Sequence, residues 1–466
     1  MDKQTTIAFI LIGAILVLWL YISAPDPNQQ PKQKNKTTQT TDSLKSSPKD
    51  SIVESKTIPV ENETENLSFF NSNVPEELLV IETQLIRFEM SNKGANFRKI
   101  YLSKFKNWYS ANKNGETNYN DYVQLINYTK GGSYDVSFVS IDGRGINTKD
   151  ITFNSDKSAG KYKIKENDSG KILTKTYTFF GSKYEIKSKI SFAGFNDLIS
   201  NNSYDLVWSN GIRSVERNSV DEANYSNASV YYGDEQVIVD ASSVGEKEVK
   251  EFRGRVDWLT VRNKYFAAII IPDDSKKVEG AYIEGIQETR GIDGLHETYD
   301  ARLTLPFQNQ KVETQSFTLF IGPVDYKELE AYGRNLVKIV DFGSFFGLKF
   351  IVRPIAEYIL LPLFQFINLF IPNYGFVLII FSIIIKIVVY PLTKSSYQSM
   401  KKMQALQPMI TELKEKFKDD PQKMNKETMK LYSTYGINPA GGCLPMLLQM
   451  PIFVALWGMF QSAIDL

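Results

Sequence analysis

The stretch Tyr374-Gly375-Phe376-Val377-Leu378-Ile379-Ile380-Phe381-Ser382-Ile383-Ile384-Ile385-Lys386-Ile387-Val388-Val389-Tyr390 is apolar apart from Ser382, Lys386 and its end tyrosines. Its length is close to the ~20 residues an α-helix needs to cross a bilayer. A charge at that depth costs about 2.5–3.5 kcal/mol on insertion scales, and it normally faces protein or a wet cavity rather than lipid. Ser382 and Lys386 are four residues apart, so a helix places them on one face. A Lys-rich segment follows directly. This is the pattern of a protein that handles something polar within a membrane.

Two readings of Lys386 compete. It lies only ~12 Å along the helix from Lys394, so its stem could lift the ammonium towards the cytoplasmic headgroups. Alternatively it lines a polar recess. Ser382 and Gln449 favour the recess, because a lysine that merely snorkels needs no deeper polar neighbours. Gln449 itself fits either a recess lining or a hydrogen-bonded link between helices.

Residues 394–430 hold nine Lys against five acids, a cytoplasmic signature beside a span. Met403, Leu406, Ile410, Leu413 and Phe417 follow 3-4-3-4 spacing, and Met424, Thr428, Leu431 and Tyr435 continue it. Between them Asp420 is a good N-cap and Pro421 suits a first helical position. The expectation is a cytoplasmic helical hairpin over 394–440, its first arm bent by Pro408. Its exposed lysines, among them Lys401, Lys402, Lys414, Lys418 and Lys423, serve as a solvated face and topology signal. Their rival use is contact with acidic partners such as ribosomal RNA or anionic lipid. Residues 441–464 form a further apolar span containing Pro445, Gln449 and Pro451.

Upstream, 344–373 is apolar but broken by Lys349, Arg353, Pro354, Glu357, Pro362, Gln365 and Asn368. If this segment crossed the bilayer, the Lys-rich hairpin would land outside. The positive-inside rule therefore predicts an interfacial amphipathic helix, followed by a transmembrane helix over 374–393. Residues 67–343 alternate with period two between Gly, Asn and Asp clusters, as in Leu173-Thr174-Lys175-Thr176-Tyr177-Thr178-Phe179. That predicts a large exported antiparallel β-sandwich, closed by a helix over 326–340. Residues 25–66 are too polar to bury a core and read as a flexible tether. Residues 1–24 hold an apolar run, read as a retained N-terminal anchor rather than a cleaved signal, with Trp19 and Tyr21 at its far end. The fold class is thus an α-helical membrane core with a helical hairpin, plus the β-domain.

The chain has 466 residues with 54 basic and 53 acidic side chains, so overall charge selects no partner. One Cys and one His exclude an internal disulfide and a Cys/His zinc cluster. No GxxxxGK[ST] phosphate loop is present. An ATPase or metalloenzyme is disfavoured, and no cofactor, metal or small-molecule substrate is expected. His296, in a Gly-Leu-His-Glu loop, would have to serve any acid–base chemistry alone.

Several motifs add a resemblance. Tyr390-Pro391-Leu392-Thr393-Lys394, Gln404-Ala405-Leu406-Gln407-Pro408, Asn438-Pro439-Ala440-Gly441-Gly442-Cys443-Leu444-Pro445 and Gln449-Met450-Pro451-Ile452-Phe453 resemble the YidC/Oxa/Albino family of membrane insertases. Trp258, Lys264-Tyr265-Phe266-Ala267-Ala268-Ile269 and Ile321-Gly322-Pro323 resemble its long Gram-negative form. The resemblance implies a non-enzymatic insertase and chaperone in the bacterial inner membrane. It would be multi-pass, with a cytoplasmic N-terminus and a periplasmic β-domain. Its partners would be nascent inner-membrane proteins, the Sec translocon, the ribosome and membrane lipids. It further implies a hydrophilic groove lined by Lys386, where better-known members carry Arg, and by Ser382 and Gln449. Lys401, Lys402, Met403, Lys414, Lys418 and Lys423 would belong to the substrate-receiving hairpin. The family pattern implies two more spans than the three read here. The exported domain is also similar to mutarotase-type sandwiches, so a membrane-anchored sugar-binding or sugar-processing protein is the alternative.

Overall fold

The structure, a computed structural model, describes residues 75–462 apart from 109, 111–118, 127–132, 157–160, 166–169, 292–293, 344–348, 419 and 437–443. The anchor and tether expected over 1–66 lie outside the described residues, as do positions 438–443 of the Asn-Pro motif.

Among the described residues, three antiparallel sheets of four, nine and six strands precede the helical part. Alternation decides which side chains they bury. In the strand Glu185–Ala193, Ile186, Ile190 and Phe192 point inward, and in Ser203–Trp208 the inward set is Tyr204, Leu206 and Trp208. The strands Asn227–Tyr232 and Val256–Arg262 of the nine-stranded sheet face Gly280–Arg290 and Gly294–Pro306 of the six-stranded one. The result is a sandwich with a single apolar core. The four-stranded sheet packs on the other end of the nine-stranded sheet, where Phe88 and Phe97 meet Phe179 and Tyr177.

Polar contacts cross there too, among them the Tyr177 hydroxyl donating to the Ala95 carbonyl (2.7 Å). Lys175 shares a strand face with Leu173 and Tyr177 and is fully buried. Its ammonium donates to the carbonyls of Gly94 (2.7 Å) and Tyr134 (3.0 Å). Burial pulls its pKa down to about 8, against the nearby Asp135 carboxylate. These bonds offset the cost of burying the charge and pin the 94–96 turn to the neighbouring sheet.

Val256–Arg262 and Phe266–Pro272 are buried on both faces because the chain from 326 to 342 covers the second one. The Trp258 indole donates to the Arg334 carbonyl (3.0 Å) and the Arg262 guanidinium to the Ile339 carbonyl (2.5 Å). This covering segment is not the continuous helix expected over 326–340. After α1 (Ser219–Ala223), α2 spans only Tyr326–Glu330. Gly333, Arg334 and Asn335 then turn left-handed (φ 63°, 49° and 59°), and a 3₁₀ turn follows over Leu336–Ile339. Gly and Asn tolerate that backbone, and the Arg334 guanidinium holds it through the Pro272 and Asp273 carbonyls.

The helical part begins with α3 (Lys349–Phe370), continues with α4 (Tyr374–Ala405), α5 (Gln407–Lys416) and α6 (Pro421–Thr434), and ends with α7 (Leu444–Ser462). Helix α3 contains a π turn over Ala356–Leu360 following Pro354, which supplies no N–H to the turn before it. By length and composition both α3 and the 374–391 part of α4 could cross a membrane. Phe364 of α3, Phe381 of α4 and Phe460 of α7 meet edge to face at 5.7–6.3 Å and tie the three helices together. Helix α4 has 32 residues, so it is about 48 Å long and separates that cluster from the hairpin.

In the hairpin, the arm breaks at Leu406, and Pro408 sits in the first turn of α5 rather than within a bent helix. A proline is tolerated there because its missing N–H would be unpaired anyway. Leu406 and Ile410 form the buried seam with Leu431 and Tyr432. Tyr435, expected in that seam, is 51% exposed, since α6 ends one residue earlier.

Candidate functional site

At 100° per residue, Ser382, Lys386, Val389 and Thr393 form one stripe along α4. It borders the packed face made by Val377, Phe381, Ile384 and Ile385. Ser382 and Lys386 are exposed, and Lys386 has no ion pair among the described residues. Pro391 supplies no N–H to the Ile387 carbonyl, which leaves a further acceptor at the depth of Lys386.

The stripe ends at a hydrogen bond between helices. Gln449 Nε2 of α7 donates to Thr393 Oγ1 of α4 (3.1 Å), and that hydroxyl donates to the Val389 carbonyl (3.0 Å). Gln449 therefore joins the face of Ser382 and Lys386 through Thr393, about 10 Å along the helix from Lys386, without touching the lysine. Thr393 was not singled out from the sequence. Its signal was the seven-residue step from Lys386, two helical turns on the same face.

Beyond this stripe the hairpin exposes Lys401, Lys402, Lys414, Lys418 and Lys423, while Met403 is half-buried against the seam. Two of these five lysines are held over aromatic rings, Lys401 over Tyr397 (4.8 Å) and Lys423 over Phe417 (5.3 Å), and Lys416 also lies over Phe417 (5.8 Å). Asp420 caps α6 by accepting from the Lys423 backbone N–H (3.0 Å), as the Asp-Pro pair predicts. Met400, Met409 and Met429 are 40–51% exposed, so each keeps a flexible apolar surface.

At the opposite end, three elements meet. Arg353 of α3 donates to the Val337 carbonyl (2.8 Å), to the Val340 carbonyl (3.2 Å) and to Glu357 (3.0 Å). Glu357 also accepts from the Tyr326 hydroxyl at 2.8 Å. Gly458 of α7 lies against the Phe342 backbone so closely that a Cβ would overlap its carbonyl. The β-domain is thus fastened to α3 by hydrogen bonds and to α7 by close backbone contact.

His296 is not in a loop. It lies in the strand Gly294–Pro306, where hairpin pairing with Gly280–Arg290 sets Glu288 opposite it. Its Nδ1 is 3.3 Å from Ser214 Oγ. Glu297, the next residue, points to the other face and into the core, accepting from the Tyr299 hydroxyl (2.7 Å) and Gln287 (2.8 Å). The adjacent pair therefore cannot act as one acid–base couple. Burial pushes the Glu297 carboxyl up to about 7 from the usual 4.5. Its proton is held more tightly in the folded chain than in the unfolded one. Raising the pH from about 4.5 to 7 should then lower β-domain stability by roughly 2–3 kcal/mol, with a plateau above. Glu297→Gln should flatten that slope in thermal melts across this range.

Comparison with known proteins matches both parts of the chain. The family described as "YidC periplasmic domain" matches residues 78–358, and that described as "60Kd inner membrane protein" matches 366–466. The chain belongs to the YidC membrane protein insertase family. Named relatives agree. A membrane protein insertase YidC from Chlorobium limicola is 34% identical over 484 residues, covering 100% of this chain and 78% of that protein. One from Chlorobaculum parvum is 33% identical over 488 residues with the same coverage. Among solved structures, a galactose mutarotase related enzyme from Lactobacillus acidophilus aligns at TM-score 0.32 and 10% identity, over 53% of this chain and 97% of that one. A likeness that weak carries no argument about activity. The YidC family assignment spans the β-domain itself and leaves the sugar-processing alternative the less supported reading. Insertion of membrane proteins, in an inner membrane and with a periplasmic domain, is the function class that this family gives the chain.

Proposed function

We propose that the stripe Ser382–Lys386–Thr393 with Gln449 lines a wet recess in the inner leaflet through which hydrophilic substrate tails pass. The observation behind this reading is an exposed ammonium and hydroxyl on one face of an otherwise apolar helix, with the exposed Gln449–Thr393 bond extending that polar face towards the hairpin. A recess of this kind thins the apolar barrier. Lys386 attracts acidic groups on the tail, and an apolar substrate segment of ~20 residues partitions into lipid beside α4 and α7. Burial of that segment drives the reaction, so no nucleotide is required.

In this arrangement α3 lies in the outer headgroup plane and the N-terminus is cytoplasmic. The hairpin receives nascent inner-membrane proteins, and its lysines, including Lys414 and Lys418, meet the ribosome or anionic lipid. Hand-over to the Sec translocon and chaperoning of its clients belong to the same reading. Ser382→Cys or Lys386→Cys, in a background where Cys443 is replaced by serine, should react with a water-soluble maleimide applied from the cytoplasmic side. Protection of both positions would remove the recess. Deleting residues 67–340 should leave insertion of a reporter with a short exported tail largely intact in vesicles. Its complete loss would move the function into the β-domain.

A further inference from the structure

A cavity of about 250 Å³ lies where the β-domain meets the start of α3. Its lining draws on strands of the nine-stranded sheet, the 3₁₀ turn and α3, and it includes Arg262, Lys338, Lys349, Arg353, Asp240 and Asp341. The charges are not equivalent. Arg262 is almost fully buried and spends its guanidinium on the carbonyls of Asn263, Lys264 and Ile339. Arg353 spends its own on Val337, Val340 and Glu357. Asp341 accepts from the Gly343 backbone N–H (3.0 Å). That leaves two lysines and one carboxylate uncommitted to a strong bond. Lys349 is exposed with no partner among the described residues, and Lys338 makes 3.4 Å contacts to the Tyr231 hydroxyl and the Asp234 carbonyl and lies over the Tyr231 ring at 5.0 Å. Asp240 has no recorded hydrogen bond among the described residues, and partial burial raises its carboxyl pKa.

The surroundings are those of a lipid surface rather than of open solvent. Lys349 opens a helix whose exposed large apolar side chains include Phe350, Tyr358, Ile359 and Phe366, at 58–74% exposure. Phe350 directly follows the cavity-lining Lys349, so exposed apolar surface begins beside the cavity. An ion with no hydrocarbon attached would gain nothing from it.

We propose that this cavity seats a zwitterionic phospholipid headgroup, its phosphodiester between Lys338 and Lys349 and its primary ammonium on Asp240, with the acyl chains running over Phe350 and Tyr358. A phosphodiester needs cations and N–H donors, and a primary ammonium needs an acceptor that a quaternary one cannot use as a hydrogen-bond partner. The bound lipid would fill the seam between α3 and the β-domain and fix their spacing. The inference rests on α3 lying at the outer headgroup level. Lipid retention is therefore scored separately from insertion, so that loss of one does not imply loss of the other.

The test is native mass spectrometry of the full chain, stripped in detergent and re-supplied with phosphatidylethanolamine, phosphatidylcholine or phosphatidylglycerol. The expected result is one phosphatidylethanolamine retained in preference to phosphatidylcholine. Lys338→Ala with Lys349→Ala should lower that retention about tenfold, and Asp240→Asn should abolish the preference between the two headgroups. Both variants avoid the Arg353 and Arg262 bonds that hold the joint, and circular dichroism melts should match the parent chain. Retention unchanged by the double lysine variant overturns the site. So does displacement of the lipid by millimolar inorganic phosphate, which would mark a free-anion pocket. A preference that survives Asp240→Asn overturns the assignment of the ammonium.

Discussion

Gly458→Ala should pry α7 from the end of the β-domain. The added Cβ overlaps the Phe342 carbonyl, and what must yield is backbone rather than the tip of a side chain. Backbone held between the Arg353 hydrogen bonds and the left-handed turn at 333–335 has little freedom to move. The cost should fall at the upper end of the ~1–3 kcal/mol typical of overpacking. For a domain of this size that corresponds to a fall of several degrees in the melting temperature of the joint. Arg353→Met provides the companion measurement, because it deletes two carbonyl hydrogen bonds and leaves Glu357 with Tyr326 alone. Removing one partner of such a half-buried pair costs on the order of 3 kcal/mol. The two variants weaken one seam, so the double variant should cost less than the sum of the singles. Limited proteolysis after residue 336, together with differential scanning fluorimetry, reads both effects. Parent-like cleavage and melting in Gly458→Ala would mean that the helices and the β-domain are not coupled through this contact.

The extent to which this architecture was legible depended on how local its causes are. The strands were legible because period-two burial leaves its mark residue by residue, as in Ile186, Ile190 and Phe192. The hairpin seam was legible for the same reason, and so was the Asp420–Pro421 start of α6. What escaped depends on partners far along the chain. Lys175 sits on an apolar strand face, and nothing local announces that its ammonium reaches carbonyls 81 and 41 residues away. The helix expected over 326–340 failed because its apolar spacing serves a covering segment, bent at Gly333 and Asn335 so that Leu329, Leu336 and Ile339 can all reach the sheet. His296 looked like a loop residue because Gly291 and Gly294 precede it closely, yet the strand that contains it already starts at Gly294. The polar stripe was half legible. Ser382 and Lys386 betray themselves by contrast with their neighbours, whereas the role of Thr393 needed the position of α7.

Charge reversal at Lys386 should have the largest effect on function. If the ammonium attracts acidic groups on a substrate tail, its contribution follows Coulomb's law in a medium between bulk water and protein. That amounts to ~1 kcal/mol at 4 Å in water and ~4 kcal/mol at the effective dielectric of a protein surface. Lys386→Ala removes the attraction and should slow insertion of a substrate with an acidic exported tail by roughly tenfold, equivalent to about 1.4 kcal/mol. Lys386→Glu replaces attraction with repulsion at the same site and should slow it by about a further tenfold. Lys386→Arg keeps the charge and adds a planar fork that can grip a carboxylate with two bonds, so its rate should equal or exceed the parent's. A substrate with a neutral tail supplies the internal control, since it should pass all four proteins at similar rates. Raising the salt concentration should shrink the acidic-tail differences only weakly, because a recess sunk in the lipid is screened less than an exposed surface. Equal insertion of acidic and neutral tails by Lys386→Glu would mean that the stripe works by hydration alone. Lys386 would then serve to hold water at membrane depth rather than to select what passes.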